Sequence, residues 1–314
     1  MKIALIADFF EGSGFGHFFR LKSFYDMFKD SYLCKFFLQT PINVKVENEV
    51  YNATNFLQII KDFNPKIAII DGYSFKPELR LKLKEIGIKT MFVDDFAKGY
   101  YPDDFVINHA NNLDESRYEV PEKTKLLLGS NYALMRPEFL AVAKTNKEKV
   151  SSVKFEKVFI SFGGADPNNL LSKYLNFLAE IPFVKQIIAL GKNNESISIL
   201  AKNKTQFVWG LKATELINQL KNVDFAIVPA STLSYELCCL RIPFITGYFI
   251  ENQKLIYHGL IAKKCAVGLG NLNEDYNLLK AIEELDCSKN EILINQILYF
   301  DGNTFDRLKS KLIV

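Results

Sequence analysis

The chain has 314 residues, of which 48% are hydrophobic and 24% are charged, and its formal net charge is +3. These values are typical of a globular protein and exclude a disordered or low-complexity chain. The small net charge gives no reason to expect a nucleic-acid partner, because such partners are bound through concentrated positive charge. From this length we expect two domains, one over residues 1–148 and one over residues 149–314.

The five cysteines are odd in number and lack paired C-x-x-C spacing, so we expect neither a disulfide framework nor a bound metal. The N-terminus begins a predicted core strand directly after Lys2, which leaves no room for a secretory signal. No apolar run approaches the roughly 20 residues that span a bilayer. We therefore expect a cytoplasmic protein without stable membrane insertion, and the sequence leaves its oligomeric state open.

Short apolar strands alternate with helical patterns through the first half of the chain. Strands are predicted at 2–8, 34–39, 66–71, 90–94, 105–108 and 125–128, and helices from residue 16, at 52–63 and at 77–86. This alternation is typical of a parallel sheet covered by helices, with ligand loops at the carboxyl ends of the strands. The polar stretch 144–154 is predicted to be a linker that can partly extend the preceding helix.

The same pattern restarts after the predicted linker. Strands are predicted at 158–161, 186–190, 205–208, 225–228 and 243–246, and helices at 168–181, 195–201, 214–221, 231–240, 273–285, 291–299 and 304–312. The fold class is therefore α/β, with two Rossmann-like parallel-sheet domains. We expect the two domains to face a cleft, where small-molecule sites commonly lie.

The segment GSGFGH at residues 12–17 follows the first strand and opens the first helix. Its glycines let backbone N–H groups approach a ligand, and the N-terminus of a helix favours anions such as a diphosphate. Many Gly-rich turns, however, only solve backbone geometry. His17 lies on the first helical turn and can act as a general base, because imidazole titrates near neutral pH. The alternative is a histidine that only hydrogen-bonds the loop.

Two further loops in the second half follow apolar strands and precede helices. Gly163 and Gly164 can present backbone donors to a phosphate or a sugar, whereas Asp166 is expected to cap the next helix. Ser231 and Thr232 begin another helix, where hydroxyl and N–H groups can hold a diphosphate. Ser231 can equally be an ordinary N-cap without a ligand.

Three more polar residues of the second half can recognise a sugar. Glu236 lies one turn after Thr232, and its carboxylate can accept two hydroxyls of a ribose; the alternative is a solvated helix surface. The amides of Asn252 and Gln253 can donate and accept hydrogen bonds at once, as sugar recognition requires.

These segments together, in order and spacing, resemble the UDP-sugar hydrolases of pseudaminic acid biosynthesis and their spore-coat polysaccharide relatives, within the GT-B superfamily. The resemblance runs along nearly the whole chain. Two residues depart from it. Gly72 stands where the nearest relatives tend to have a histidine, and Ala7 stands just before the acidic Asp8, where those relatives often have a basic residue. The matching segments are Gly14-Phe15-Gly16-His17 with Arg20, Asp71-Gly72-Tyr73, Val93-Asp94-Asp95, residues 129–139, residues 161–167, Ser231-Thr232 with Glu236, Asn252-Gln253, and Asp301-Gly302 with Arg307.

The resemblance implies hydrolysis of UDP-2,4-diacetamido-2,4,6-trideoxy-β-L-altropyranose, without a metal or another cofactor. Water would attack the anomeric carbon with inversion, and His17 would orient or deprotonate that water. The substrate-binding residues implied are Tyr73 and Asn252 near the sugar or the water, Glu236 at the ribose, Ser231 and Thr232 at the diphosphate, and Gly14, Gly16, Arg20, Gly163, Gly164 and Gln253 as further contacts.

Two alternatives use the same residues differently. A GT-B glycosyltransferase would transfer the sugar of a UDP-sugar donor to an acceptor hydroxyl in surface polysaccharide synthesis, with His17 as base toward that hydroxyl. A nucleotide-sugar-binding protein without catalysis would keep the binding loops alone. Replacing His17 separates an enzyme from such a binding protein. In an enzyme the replacement would lower turnover while binding of the nucleotide sugar survives, whereas a binding protein has no turnover to lose.

Overall fold

The structure is a computed structural model that describes residues 1–8, 16–39, 56–146, 154–163, 166, 169–192, 196–274 and 276–312. The chain forms two compact units, Met1–Pro137 together with Thr304–Val314, and Glu138–Asn303. The C-terminal helix Thr304–Leu312 contacts the short turn Ser130–Tyr132, both in the first unit. Among the described residues, no helix combines the length and apolar character needed to cross a membrane.

The first unit is built on a six-stranded sheet whose neighbouring strands are all parallel. Its strands are β1 Lys2–Asp8, β2 Leu33–Gln39, β3 Ile67–Asp71, β4 Lys89–Val93, β5 Phe105–Asn108 and β6 Lys125–Leu128. Their order is β2-β1-β3-β4-β5-β6, so the chain leaves β1 toward one side and returns to β3 on the other. The order therefore reverses between β1 and β3, which makes this pair the switch point of the sheet.

Helices cover this sheet through apolar residues at helical spacing. The helices of the first unit are α1 Gly16–Phe28, α2 Phe56–Phe63, α3 Pro77–Glu85 and α11 Thr304–Leu312. On α1, Leu21, Phe24 and Phe28 recur every three to four residues and are fully buried. Because this spacing places them on one face, α1 is held against β1 and its first turn is fixed at the end of that strand.

The second unit repeats the architecture with its own sheet and core. Its strands are β7 Lys157–Ile160, β8 Gln186–Leu190, β9 Thr205–Val208, β10 Phe225–Pro229, β11 Phe244–Tyr248 and β12 Val267–Asn271. Their order is β12-β11-β10-β7-β8-β9, and the order reverses between β7 and β10. The helices that begin or lie in this unit are α4 Pro137–Thr145, α5 Leu170–Glu180, α6 Ile199–Lys204, α7 Ala213–Leu220, α8 Thr232–Leu240, α9 Lys254–Ala262 and α10 Leu278–Tyr299.

Some predicted elements differ from the structure. The two helices predicted at 273–285 and 291–299 are one helix, α10, so that prediction is wrong. The polar residues between them continue the helix, because Ser288 Oγ donates to the carbonyl of Glu284 at 2.7 Å and Lys289 pairs with Asp286 at 2.6 Å. Neither α9 nor β12 was predicted. Two glycines within β12, one of them packed against Tyr257, hide its apolar pattern.

The start of the predicted linker extends the preceding helix, as the prediction allowed, because α4 runs through Thr145. Residues 147–153 of that stretch lie outside the described residues, as do residues 52–55, where the second helix was predicted to begin.

Arg241 joins the ends of three helices in the second unit. It follows α8 in the left-handed conformation, with φ of +59°, and its side chain is almost completely buried. Burial lowers the pKa of its guanidinium, although nearby ionisable groups oppose that shift. The guanidinium donates to the carbonyl oxygens of Cys238 at 2.7 Å, Gln296 at 2.8 Å, Phe300 at 2.9 Å, Ala143 at 3.2 Å and Asn146 at 3.2 Å. One side chain thus satisfies the carbonyl ends of α4, α8 and α10.

Candidate functional site

A cluster of buried polar residues lies at the switch point of the first sheet. β3 ends at Asp71, which pairs in register with Ala7 of β1, and α1 begins with Gly16 and His17. Open parallel sheets bind ligands at such a point, beyond the carboxyl ends of the strands. Residues 12–15 of the predicted glycine loop, Gly14 included, lie outside the described residues.

His17 is held by Asp71. Its Nδ1 lies 2.6 Å from Asp71 Oδ1, and both side chains are buried. Arg20 donates to the two oxygens of the same carboxylate, from Nε at 2.8 Å and from Nη2 at 2.7 Å. Because a carboxylate paired in this way is ionised and can only accept, we assign the His17 proton to Nδ1. The lone pair is then on Nε2, which is the arrangement of a general base oriented by an acid.

Arg20 also pairs with a second carboxylate, that of Asp95. Nη1 lies 2.5 Å from Oδ1 and Nη2 lies 3.0 Å from Oδ2. Burial alone would raise the pKa of Asp95, but the charge and hydrogen bonds of Arg20 outweigh it and hold that pKa below its ordinary value. Burial likewise opposes the charged form of Arg20, yet the two carboxylates raise its pKa well above the ordinary value.

The charges of this cluster suit a proton acceptor. Arg20 supplies one positive charge and the two carboxylates supply two negative charges, so one net negative charge remains while His17 is neutral. A proton taken up by His17 would balance the four side chains. General-base catalysis forms an imidazolium next to an ionised carboxylate, and this cluster has that arrangement.

Tyr73 completes the cluster. Its ring meets the imidazole of His17 edge-on, with ring centroids 4.5 Å apart, and 37% of the residue is exposed. Its hydroxyl donates to Asp95 Oδ2 at 2.8 Å. The structure therefore brings together three of the predicted site residues, His17, Arg20 and Tyr73, and places Arg20 between two carboxylates.

Asp8 fixes the turn that carries Tyr73. Its carboxylate is buried and accepts hydrogen bonds from the amide of Ser74 at 3.0 Å and from the hydroxyl of Ser74. A Cβ atom on Gly72 would lie only 2.5 Å from Asp8 Oδ2. A side chain at position 72, where the sequence departs from the resemblance, would therefore collide with Asp8 in its present position.

Asp94 fixes the loop that carries Asp95. The carboxylate of Asp94 is buried and accepts five hydrogen bonds. These bonds offset the free-energy cost of burying a charged carboxylate. The donors are the amides of Phe96 at 3.0 Å and Ala97 at 2.8 Å, the hydroxyls of Tyr101 at 2.8 Å and Tyr118 at 3.1 Å, and Asn108 Nδ2 at 2.8 Å.

A second buried histidine, His109, follows β5. Its Nε2 accepts a hydrogen bond from the amide of Leu134 at 3.3 Å. Burial, assisted by the charge of Arg20, lowers the pKa of His109 to about 4. His109 is therefore neutral at physiological pH and acts as an acceptor within the fold.

In the second unit, Gly163 and the pair Ser231 and Thr232 follow the carboxyl ends of β7 and β10, the two strands of its switch point. Gly163 has φ of +81°, and no atom of the described residues lies within 4 Å of the place where its Cβ would be; Gly164 lies outside the described residues. Asp166 accepts from the amides of Leu170 at 2.9 Å and Leu171 at 3.0 Å, which confirms its predicted capping role.

The start of α8 presents Ser231 and Thr232, both half-buried. Ser234 Oγ donates to the carbonyl of Ser231 at 2.6 Å and accepts from its amide at 3.2 Å, so the turn is closed by Ser234. The amides of Ser231 and Ser234 donate within this turn, whereas the other amides of a first helical turn have no acceptor within their own helix. This helix start can therefore offer N–H groups and two hydroxyls to an anion.

Glu236 and Gln253 are both buried. The alternative of a solvated surface position is therefore wrong for Glu236, which is 3% exposed. Gln253 Oε1 accepts from the amide of Phe249 at 3.0 Å and so shapes the loop after β11, in which Asn252 is half-buried.

The acidic residues of the first site are what the sequence analysis missed. Asp71 and Asp95 lie in segments that resemble those of known relatives, but neither of them was predicted to have a role in the site. Their signal in the sequence is their place, since Asp71 ends β3 and Asp95 follows β4 closely at the same edge of the sheet. Within the described part of the chain, no group of three or more His, Cys, Asp or Glu side chains could hold a metal ion.

No family model matches the chain. It is 29% identical over 270 residues to a UDP-2,4-diacetamido-2,4,6-trideoxy-β-L-altropyranose hydrolase of Campylobacter jejuni, covering 81% of this chain and 94% of that protein. It is 24% identical to the spore coat polysaccharide biosynthesis protein SpsG of Bacillus subtilis, covering 92% and 90%. The predicted resemblance is confirmed.

Solved structures with the same fold cover the whole chain. The rhamnosyltransferase SpnG, complexed with thymidine diphosphate, matches with a TM-score of 0.68 at 11% identity, covering 100% of both chains. The UDP-GlcNAc 2-epimerase of Neisseria meningitidis, bound to UDP-GlcNAc, matches with a TM-score of 0.64 at 10% identity, again over 100% of both chains. The predicted GT-B-like fold with two parallel-sheet units is confirmed.

Proposed function

We propose that this protein is a metal-independent enzyme that hydrolyses a UDP-linked diacetamido-trideoxy sugar to UDP and the free sugar, in nonulosonate biosynthesis of the pseudaminic acid type. The observation that carries the proposal is the buried His17–Asp71 pair, with Nδ1 and Oδ1 2.6 Å apart. It supplies the base that hydrolysis needs, in a chain that is 29% identical to a hydrolase of such a sugar nucleotide.

In the proposed reaction, water attacks the anomeric carbon while His17 Nε2 takes one of its protons. A bond forms between the water oxygen and the anomeric carbon, and the bond from that carbon to the diphosphate oxygen breaks. The electron pair stays on the leaving oxygen, so UDP departs as an anion. The anomeric configuration inverts because the two oxygens occupy opposite faces of the carbon.

We assign the nucleotide to the second unit. N–H groups at the start of α8, with the hydroxyls of Ser231 and Thr232, suit a diphosphate whose negative charge grows as it leaves. The backbone at Gly163 adds further donors, and the buried carboxylate of Glu236 suits a ribose diol. A helix dipole and fixed donors stabilise the leaving group without a metal.

A glycosyltransferase is the competing hypothesis, and the fold shared with the rhamnosyltransferase SpnG favours it. The same base can accept a proton from an acceptor alcohol. The two functions differ in whether the UDP-sugar is consumed when no acceptor is present.

The test is proton NMR of the UDP-diacetamido-trideoxy-altrose nucleotide, incubated with the protein and a chelator but without acceptor. We expect UDP and the free sugar to appear, first as the inverted anomer. The variant His17→Asn should bind UDP and lose turnover, whereas the exposed-site control His258→Asn should retain it. An intact nucleotide despite UDP binding would contradict hydrolysis, and unchanged turnover of His17→Asn would remove His17 from the mechanism.

A further inference from the structure

We propose that Asp95 is a positioning residue that acts on His17 through Arg20. Its carboxylate balances the charge of Arg20, so the charge of the Asp71 carboxylate remains to balance a proton taken up by His17. The inference rests on the proposed function, because it concerns the base of that reaction.

Arg20 lies between two carboxylates and donates to all four of their oxygens. Its Nε and Nη2 donate to Asp71 at 2.8 and 2.7 Å, and its Nη1 and Nη2 donate to Asp95 at 2.5 and 3.0 Å. Such two-point pairs between a guanidinium and a carboxylate are strong and directional. Without Asp95, the single positive charge of Arg20 would face Asp71 alone and would balance the carboxylate that holds His17.

The contacts of Arg20 also place Asp95 close to the imidazole. Because Arg20 Nη2 lies 3.1 Å from His17 Nδ1 and 3.0 Å from Asp95 Oδ2, the Asp95 oxygen lies within about 6 Å of the imidazole nitrogen. His17 and Asp95 are both buried, and water and salt screen buried charges much less than exposed ones. A charge on Asp95 therefore acts directly on a charge that forms on His17.

The electrostatic interaction between Asp95 and His17 is mutual. Burial opposes the charged form of Asp95, but the charge and hydrogen bond of Arg20, and after them the charge of His17, hold the pKa of Asp95 below its ordinary value. Such a coupling free energy is the same from either side. The Asp95 carboxylate therefore favours the protonated imidazole of His17 as much as that imidazole favours the carboxylate.

Other ionisable side chains lie around the imidazole in the described part of the chain. His109, after β5, is neutral at physiological pH because burial lowers its pKa to about 4. Asp8, at the end of β1, accepts hydrogen bonds from the turn that carries Tyr73. Tyr73 itself donates its hydroxyl to Asp95 at 2.8 Å. The second negative charge on Arg20 is therefore that of Asp95.

The experiment is a pH titration of the imidazole, followed by NMR in protein with ¹³C-labelled histidine. The chain has three histidines, so the His17 signal can be assigned by its loss in His17→Asn. Asp95→Asn removes the charge and keeps the size of the side chain. We expect the titration midpoint of His17 to fall by about one to two pH units in this variant, as two charges about 6 Å apart predict.

Three comparisons accompany the titration. Asp95→Glu keeps the charge and should restore most of the wild-type midpoint. Asp26→Asn, which removes a carboxylate that pairs with Lys22 on the same helix, should leave the midpoint unchanged. The signal of the exposed His258 should not move in any variant.

The pH profile of turnover gives a second readout. A general base acts only when it is unprotonated, so kcat/KM falls as the pH drops through the titration midpoint of the base. In Asp95→Asn this fall should move to lower pH together with the midpoint. A merely structural role of Asp95 would lower kcat and leave the position of the fall where it is in the wild type.

An unchanged midpoint of His17 in folded Asp95→Asn would overturn the inference. If that variant does not fold, Asp95→Ser, which is smaller and also uncharged, gives the same test. The titration needs no substrate and therefore separates this inference from the proposed function. A lower midpoint without consumption of the UDP-sugar would support the role of Asp95 and contradict the hydrolase, whereas hydrolysis with an unchanged midpoint would overturn the role of Asp95 alone.

Discussion

Replacing Asp71 with asparagine tests whether the His17–Asp71 pair is a catalytic unit. The substitution keeps the size of the side chain and changes its hydrogen bonds. If the nitrogen of the new amide faces His17, then Nδ1 must accept, and the proton moves to Nε2, where it blocks the base. If that nitrogen takes the place of Oδ2 instead, it opposes Arg20 Nε, and in either orientation one donor of Arg20 loses its acceptor, because Arg20 donates to both oxygens of the native carboxylate.

The magnitude follows from what the change removes. The pair loses a buried negative charge next to His17, at an Nδ1–Oδ1 distance of 2.6 Å, so the cluster no longer compensates the imidazolium. Positioned general-base catalysis contributes about 10²–10⁴ in rate. We therefore expect kcat to fall by about 10²–10⁴, which corresponds to ~3–5 kcal/mol of transition-state stabilisation. KM should change little, because the nucleotide is assigned to the second unit.

The assay is the initial rate of UDP release over a range of substrate concentrations, with thermal unfolding measured in parallel. Asp26→Asn is the matched control, because Asp26 lies on the same helix as His17 and pairs with Lys22 at 2.6 Å, away from the cluster. A folded Asp71→Asn protein with the wild-type kcat would refute the assignment of His17 as a base oriented by Asp71.

Three further predictions concern stability. The pKa of His109 is about 4 in the folded chain and about 6.5 when unfolded. The stabilising contribution of neutral His109 is therefore fully present above pH 6.5 and is lost as the pH falls to 4, which lowers the free energy of unfolding by about 3 kcal/mol. Chemical unfolding of His109→Gln should show a smaller loss of stability over that window than the wild type, and equal losses would contradict the shift. Arg241→Met should lower the unfolding free energy by about 3–5 kcal/mol, because several helix-end carbonyls lose their buried donor; a Tm equal to that of the exposed-site control Arg117→Met would refute this. Gly72→Ala should cost about 1–3 kcal/mol, because its Cβ would displace Asp8 from Ser74, and an unchanged Tm would show that Asp8 can move freely.

Much of the fold could be predicted from local patterns. Short apolar strands followed by polar loops and amphipathic helices repeat in both halves, and such signals depend on neighbouring residues alone. Prediction failed where local composition and tertiary structure disagree. The polar residues 286–290 resemble a break between helices, yet they continue α10 through their own side-chain contacts.

The candidate site could be predicted only in part, for a related reason. His17 and Tyr73 stand out locally, because each follows the end of a predicted strand. The ion pair of Arg20 with Asp95 joins residues 75 positions apart, and no local pattern shows it. The same holds for Gly72, whose missing side chain is explained by Asp8 in a different strand. Contacts between strand ends depend on the order of the strands in the sheet, which the sequence does not state.

The most direct test of the central claim is hydrolysis in ¹⁸O-enriched water, with the position of the label determined by mass spectrometry and the first anomer by NMR. Attack of water on the anomeric carbon predicts one heavy oxygen in the released sugar, none in UDP, and an inverted anomer. Label in the diphosphate would show cleavage at phosphorus, and an unlabelled sugar would show that water is not the nucleophile. Either result would contradict the proposed reaction.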